Sequence, residues 1–213
     1  MMKDAHNQKP DQKRQIIYHT GFWAVMIVGI GILGLSGWAL SSRTLVTIIP
    51  DSVTIAPISA VLFILLGISL YLAEYGIRDP RFLIIQDVLL IPPALIGIWV
   101  LLFSAIGRTG VIHIYSHASD QIFLIAPESS MSPVSAVLFL LTALGLYANR
   151  HQFRYAPILA ILISCAGAIL ILGYLLGNPF LYGMSMKPVS FLSACGFLVC
   201  GIGQWVSAHH GSG

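Results

Sequence analysis

Three serines each follow a proline by two positions in similar stretches of the chain: Ser59, Ser135 and Ser190. Proline suits the first position of a helix, because that N–H has no intrahelical partner and the ring presets φ. Each serine would then lie in a first turn, beside unpaired backbone donors at the positive end of a helix dipole. Either these are ordinary helix-start residues, or three helix starts meet at an outer cavity that binds an anionic or carbonyl-bearing ligand.

The cavity hypothesis names a set of candidate binding residues. Pro57, Pro133 and Pro188 are predicted to begin three helices at the outer face, and Ser132 stands where an N-cap of the second would lie. Beside the three serines, the predicted site takes its walls from aromatic residues at helix ends and its charge from loops: Trp38, Tyr174, Tyr182, Arg43 and Asp120.

One acidic residue lies inside an apolar run, where an unpaired charge is unfavourable by several kcal/mol. This is Asp87, which has two interpretations. It forms a structural ion pair near the interface, with the candidate partners Arg78, Arg81 and Arg150. Alternatively, it helps to relay movement to the output end together with Gln86 and Pro92, because the Pro92-Pro93 pair is expected to kink the helix.

Metal binding and catalysis receive little support. His113 and His117 stand four apart, which places both on one helical face, but no third ligand beyond Asp120 is evident, so an ordinary polar loop is favoured. The cysteines lie in apolar runs and are predicted to be packing residues: Cys165, Cys195 and Cys200. Phosphate-binding glycine loops, zinc-protease motifs and closely spaced intramembrane carboxylates are missing from the sequence, so no enzymatic activity is predicted.

The elements that must position these residues follow from composition. Hydrophobic residues make up 57% of the chain and charged residues 9%, with a mean hydropathy of +0.86, whereas soluble domains have about 25% charged residues. Apolar runs close to the roughly 20 residues that span a bilayer occur near 19–40, 57–77, 82–106, 133–149, 155–176 and 188–207. We therefore predict an all-α integral membrane protein with six transmembrane helices.

An internal repeat groups these helices into pairs. The stretch IAPISAVLFILLGISLY at 55–71 resembles MSPVSAVLFLLTALGLY at 131–147, and a weaker copy, MKPVSFLSACGFLVCGIGQW, starts at Met186. Such a repeat sets the unit in which the fold is counted. It predicts three helix hairpins related by approximate threefold pseudosymmetry.

The distribution of Lys and Arg predicts the orientation, because positive residues stay on the cytoplasmic side. Eight lie in the N-terminal tail and the 2–3 and 4–5 loops, against three on the other side, so both termini are predicted to be cytoplasmic. The expected organisation is a tail over 1–17, a six-helix transmembrane domain over 18–207 and a C-terminal tail over 208–213, truncated and ending in a Gly-Ser-Gly cloning remnant. The net charge of +3 reflects this topology and gives no evidence for nucleic acid.

Several short words in the sequence resemble a known family. Besides the Met-x-Pro-x-(Thr/Ser)-Ala helix heads, these are Gly37-Trp38, Ser119-Asp120-Gln121-Ile122-Phe123-Leu124, Gly173-Tyr174 and Leu181-Tyr182-Gly183. In order and spacing they resemble the multi-helix membrane input region of bacterial sensor histidine kinases and diguanylate cyclases. The third head departs from this pattern, with Phe191 in place of the usual Ala. The resemblance implies signal input in the bacterial inner membrane, a cytoplasmic output module and a dimeric full-length parent.

Three functions remain open from the sequence. The leading one is a sensory domain without catalytic activity that binds a small, partly apolar ligand from the outer side, with a quinone or a fatty signalling molecule among the candidates. A small transporter or channel is the second, although the spans hold few charges and no repeated acidic pair for ion coupling. A passive dimerising anchor is the third, and the repeated polar helix heads argue against it.

Overall fold

The computed structural model describes residues 8–40, 54–74, 80–106, 131–177 and 188–210, and this part of the chain is helical without any strand. Its helices are α1 (Gln8–Ala39), α2 (Pro57–Glu74), α3 (Pro80–Ala105), α4 (Pro133–Arg150), α5 (Ala156–Leu175) and α6 (Phe191–His210). Five of them are long and apolar enough to cross a membrane, and α2 contributes the shorter apolar stretch Pro57–Ala73. For the described residues, the predicted all-helical fold of six helices is confirmed, and five of the helices have the length and hydropathy of the predicted membrane spans.

The first helix is longer than its apolar run. It begins at Gln8, whereas the apolar run begins near residue 19. Its first turns are rich in Gln, Lys and Arg, which have high helix propensity although they are too polar for a membrane core. Hydropathy therefore located the membrane-spanning part of α1 and missed its polar extension.

The helices form a central group of three, with three further helices packed around it. Helices α2, α4 and α6 all contact one another. Around them, α1 packs on α2 and α6, α3 on α2 and α4, and α5 on α4 and α6. The most extensive contacts join α1 to α2, α3 to α4 and α5 to α6, so consecutive helices pair as the predicted hairpins.

A cluster of three phenylalanines, one from each central helix, fills the middle of this arrangement. Phe63, Phe139 and Phe197 are fully buried. Their ring centroids are 4.9 Å apart for Phe63 and Phe139, 5.1 Å for Phe63 and Phe197, and 4.8 Å for Phe139 and Phe197. Tilted and edge-on pairs at this separation are favourable. This phenylalanine cluster joins the three hairpins at one level.

Each hairpin also contains the same backbone contact. A glycine of the outer helix, meaning the peripheral helix α1, α3 or α5, lies against an alanine carbonyl of the central helix that follows it in the chain. A Cβ would lie 2.6 Å from the Ala60 oxygen at Gly31, 2.9 Å from the Ala136 oxygen at Gly97 and 3.0 Å from the Ala194 oxygen at Gly167. Small residues of this kind let helix backbones approach closely inside a membrane, where apolar burial against lipid provides little net attraction.

The start predicted for the last helix at Pro188 is wrong. Helix α6 begins at Phe191, and Pro188 lies before it. The side chain of Ser190 accepts a hydrogen bond from the Ser193 N–H at 3.2 Å, just as Ser132 accepts one from Ser135 at 3.1 Å. Ser190 therefore matches the cap residue Ser132, and Ser193 matches the first-turn serines of α2 and α4.

The shared unit of the three central helices is thus Ser-Ala-x-x-Phe and not the proline head. It begins at Ser59, Ser135 and Ser193. In each copy the alanine carbonyl meets the glycine of the outer helix and the phenylalanine enters the central cluster. The register is set by these tertiary contacts, which explains why a third head aligned on its proline is displaced by three residues.

We expect a methyl group at the close contact of the first hairpin to destabilise the fold. In Gly31→Ala the new Cβ would lie 2.6 Å from the Ala60 oxygen, and overpacking of this kind reduces the free energy of unfolding by about 1–3 kcal/mol. Gly29→Ala, two residues away in the same helix, meets no atom within 4 Å and should be neutral or up to about 1 kcal/mol stabilising. Thermal unfolding in detergent measures both, and equal stability of the two variants would contradict the contact.

Candidate functional site

The predicted serines lie at the starts of the central helices. Ser59 and Ser135 occupy the first turns of α2 and α4, Ser190 immediately precedes α6, and all three are buried. The hydroxyls of Ser132 and Ser135 are 3.0 Å apart, and that of Ser190 donates to the Ser193 hydroxyl at 2.8 Å. At α4 and α6, the serine pairs therefore perform the helix-start role that the sequence left as one of two interpretations.

The first central helix differs from the other two at this position. Ala56 occupies the place that Ser132 has before α4, so Ser59 has no serine cap beside it. Ser193 is the site residue that sequence reasoning missed, although the Ser-Ala-x-x-Phe spacing shared with the other copies was visible. The structure thus places Ser59, Ser135 and Ser193 at one level, one helical turn from the phenylalanine cluster towards the starts of the central helices.

Two aromatic side chains attach the outer helices to the chain segments that enter the central helices. The Trp38 indole donates to the Ile55 carbonyl at 2.7 Å, and the Tyr174 hydroxyl donates to the Val189 carbonyl at 2.6 Å. Each acceptor lies two residues before a central helix. Trp38 and Tyr174 therefore occupy matching places in the first and third hairpins, beside the starts of α2 and α6.

The remaining residues of the predicted outer site lie outside the described part of the chain. These are Arg43, Asp120 and Tyr182, along with the histidines His113 and His117. Within the described ranges, no group of three His, Cys, Asp or Glu side chains is arranged to hold a metal ion. Of the predicted site, the structure therefore describes the buried serines, the backbone at the helix starts and the two anchored aromatic residues.

The acidic residue predicted inside an apolar run forms an ion pair at the end of the bundle opposite to the serines. Asp87 of α3 forms an ion pair with Arg150, the last residue of α4. The same guanidinium also donates to the Leu83 carbonyl at 2.6 Å. The predicted structural pairing with Arg150 is confirmed, and it joins the first turns of α3 to the end of α4.

The other predicted relay residues share this helix. Gln86 is buried next to Asp87, and α3 continues as one helix through Pro92 and Pro93. Arg78, another candidate partner of the acid, lies outside the described residues. The structure therefore brings the relay candidates onto one element, while their role in signalling stays a prediction.

A polar seam between α4 and α6, absent from the sequence-based predictions, runs along the C-terminal halves of these two helices. The Gln204 amide donates to the Thr142 carbonyl at 3.1 Å, and the Asn149 amide donates to the Ser207 hydroxyl at 2.9 Å. Gln204 was visible as a polar residue in an apolar run, but its partners could be identified only from the folded structure.

Removing the guanidinium should loosen the link between α3 and α4. We expect Arg150→Met to reduce the free energy of unfolding by about 1–3 kcal/mol, because Asp87 would lose its ion-pair partner at a half-buried position. Arg154→Met provides the matched control, since Arg154 is exposed in the loop that follows α4. Chemical denaturation of both variants in mixed micelles measures the difference. If the free energy of unfolding falls no further in Arg150→Met than in Arg154→Met, the ion pair does not stabilise the fold.

Comparison with known proteins yields no relative from which a role could be transferred. No protein-family model matches the chain, and no curated protein or solved structure matches it.

Proposed function

We propose that the chain is a membrane-embedded sensory input domain. Its three central helices bind a small, partly apolar ligand at their outer ends and transmit a conformational change to a cytoplasmic output module. The observation that carries the proposal is the ring of buried serines, Ser59, Ser135 and Ser193, at equivalent helix starts directly outward of the phenylalanine cluster.

The chemistry of these outer ends favours a particular kind of ligand. Helix starts offer backbone N–H groups and a partial positive charge, which suit an anionic or carbonyl-bearing head. Trp38 and Tyr174 are each fixed by a hydrogen bond to backbone and present aromatic surface to an apolar body. A quinone or a fatty signalling molecule combines these features, and Ser190, Arg43, Asp120 and Tyr182 complete the proposed site.

Membrane topology forms part of the proposal. Six spans, with both termini in the cytoplasm of a bacterium, agree with the excess of Lys and Arg on one side. Arg81 near the start of α3, Arg150 at the end of α4 and Arg154 before α5 then lie on the cytoplasmic side. In the full-length parent, taken to be a dimeric kinase or cyclase, α6 continues towards the output module.

Transmission would use the two features that connect helices towards the inner end. The Asp87–Arg150 ion pair joins α3 to α4, and α6 contacts α1, α2, α4 and α5. A ligand that changes the spacing of the outer helix starts would therefore also change the position of α6. Gln86, Asp87 and Pro92 are the proposed relay on α3.

A small transporter or channel is the alternative function. It requires a continuous path between the two sides, and the phenylalanine cluster fills the centre of the bundle with ring centroids 4.8–5.1 Å apart. A passive anchor is less consistent still, because buried serines and glutamine at central positions have no use in a helix bundle that merely holds a neighbouring domain in place.

The serine ring should matter more for signalling than for folding. In the full-length parent, we expect Ser59→Ala, Ser135→Ala, Ser190→Ala and Ser193→Ala to lower the output response several-fold at near-normal membrane abundance. A hydroxyl at a helix start contributes at most about 2 kcal/mol to stability. Output activity and abundance are measured on the same membranes.

The matched control is Ser36→Ala in α1, because this hydroxyl donates only to the Leu33 carbonyl of its own helix at 2.9 Å. It should leave both readouts unchanged. Trp38→Ala should resemble the serine variants. Normal signalling from all of them at normal abundance would refute the outer site and move attention to the relay on α3.

The closed centre predicts that the purified chain does not conduct. Proteoliposomes containing it should release a trapped anionic dye and dissipate a proton gradient no faster than empty vesicles. The triple variant Phe63→Ala, Phe139→Ala, Phe197→Ala removes the side chains that fill the centre, and tests whether those rings form the barrier. Conduction by the unmodified protein would favour the transporter or channel alternative over the sensory domain.

A further inference from the structure

Inward of the phenylalanine cluster, the central helices are not equivalent. Two turns further along, α2 and α4 place the buried leucines Leu70 and Leu146, and α6 places Gln204 at the same position. Leucine therefore fills this layer in two of three copies. A glutamine there is unfavourable unless its carboxamide is fully hydrogen-bonded, because the side chain is only 1% exposed.

In the described structure, only the nitrogen of that carboxamide has a hydrogen-bond partner. The Gln204 Nε2 donates to the Thr142 carbonyl, and the Thr142 hydroxyl is itself engaged with the Leu138 carbonyl at 2.6 Å. The Gln204 Oε1 is buried and receives no hydrogen bond from the described residues. It lies against Gly145 of α4, where a Cβ would overlap it and would also lie 3.6 Å from the Cβ of Leu159 in α5.

A second unpaired polar atom lies in the same part of the bundle. Ser69 of α2 is 0% exposed, and its hydroxyl has no hydrogen-bond partner among the described residues. Ser69 occupies the position that Gly145 holds in α4 and Gly203 holds in α6. Buried polar atoms in proteins are nearly always paired, with protein or with bound molecules, and a polar residue inside a membrane bundle marks a functional position.

We propose that Gln204, with Thr142 and Gly145, forms a buried binding site for one hydroxyl group, lodged where α4, α5 and α6 meet. The hydroxyl comes either from an internal water or from a small neutral alcohol or phenol. Oε1 accepts a hydrogen bond, so it selects an O–H donor over a molecule that carries only acceptors.

The local surroundings select a neutral molecule. The side chains that carry the argument, Thr142, Gly145 and Gln204, bear no charge, so an ionised ligand would lose its hydration without gaining a counter-charge. This site lies inward of the phenylalanine cluster and its argument uses none of the outer serines. An experiment that refutes the proposed sensory site would therefore leave the Gln204 site unaffected, and the reverse also holds.

Two side-chain variants separate binding from packing. Gln204→Leu makes the layer leucine in all three helices and should fold, since the other two helices carry leucine there. Gly145→Ala keeps the glutamine but places a Cβ where its Oε1 lies. Both should abolish the site, the first by removing the acceptor and the second by displacing it.

The test uses the 213-residue chain in nanodiscs with ¹⁵N-labelled glutamine side chains. The Gln204 resonance is assigned by its loss in Gln204→Leu. In the first arm, nuclear Overhauser transfer from water to the Gln204 amide protons identifies a bound water. In the second, phenol and its methyl ether anisole are titrated as matched probes. A shift of the Gln204 resonance with phenol identifies a hydroxyl ligand if two comparisons hold. The affinity from the titration should be at least about tenfold weaker for anisole, and for phenol in Gly145→Ala, which corresponds to the loss of one hydrogen bond.

Either signal supports the site and identifies the source of the hydroxyl. The proposal is overturned if the unmodified protein shows neither water transfer nor a phenol-specific shift at Gln204. It is equally overturned if no water transfer is seen and anisole acts as strongly as phenol. In those cases Gln204 is a packing residue, and a higher unfolding temperature of Gln204→Leu would show that its unpaired oxygen merely destabilises the fold.

Discussion

The contact of Phe63, Phe139 and Phe197 at the centre of the bundle determines the register of everything around it. Each ring belongs to a different hairpin, so the three helices can slide along one another only by separating buried rings. With the register set, the serines one turn towards the helix starts come to one level, and the residues two turns towards the helix ends form the layer that contains Gln204. The proposed sensory site and the proposed hydroxyl site are thus two consequences of one packing arrangement, on opposite sides of the same cluster.

Close backbone contacts between the two helices of each hairpin hold the peripheral helices in register with the central helices. The glycine of each peripheral helix lies against the alanine of the Ser-Ala-x-x-Phe unit, about one turn before the phenylalanine. In a bilayer, packing and hydrogen bonds between helices replace the hydrophobic drive of water-soluble cores. Large apolar side chains such as Ile84 and Leu162 can accordingly remain exposed, because lipid is their expected environment.

The three hairpins share the same helix packing but differ in their polar side chains at two places, the starts of the central helices and the contact between α4 and α6. Serine caps precede α4 and α6, whereas alanine precedes α2. Among the described residues, two hydrogen bonds between polar side chains or from a polar side chain to backbone join the C-terminal halves of α4 and α6. Polar contacts strengthen in a low-dielectric interior and are unfavourable there when incomplete. A bound molecule or a displaced helix at the α4–α6 seam would therefore change stability.

Local chemistry in the sequence determined much of the architecture. Apolar runs of membrane-spanning length located six helices, Pro57 and Pro133 marked two helix starts, and the intramembrane Asp87 pointed to an arginine partner that proved to be Arg150. These features depend on residues near one another in the chain or on the energy of a charge in hydrocarbon, so they can be inferred without the fold. The third helix start was misplaced because the sequence offers two signals there, the Pro188 head and the Ser-Ala-x-x-Phe unit that begins three residues later than the head predicts. The packing of Phe197 on rings from two distant hairpins shows that the second signal sets the register. Only the tertiary structure paired Gln204 with Thr142 and left its oxygen facing Gly145, since a carboxamide acquires its partners from helices that sequence spacing does not bring together.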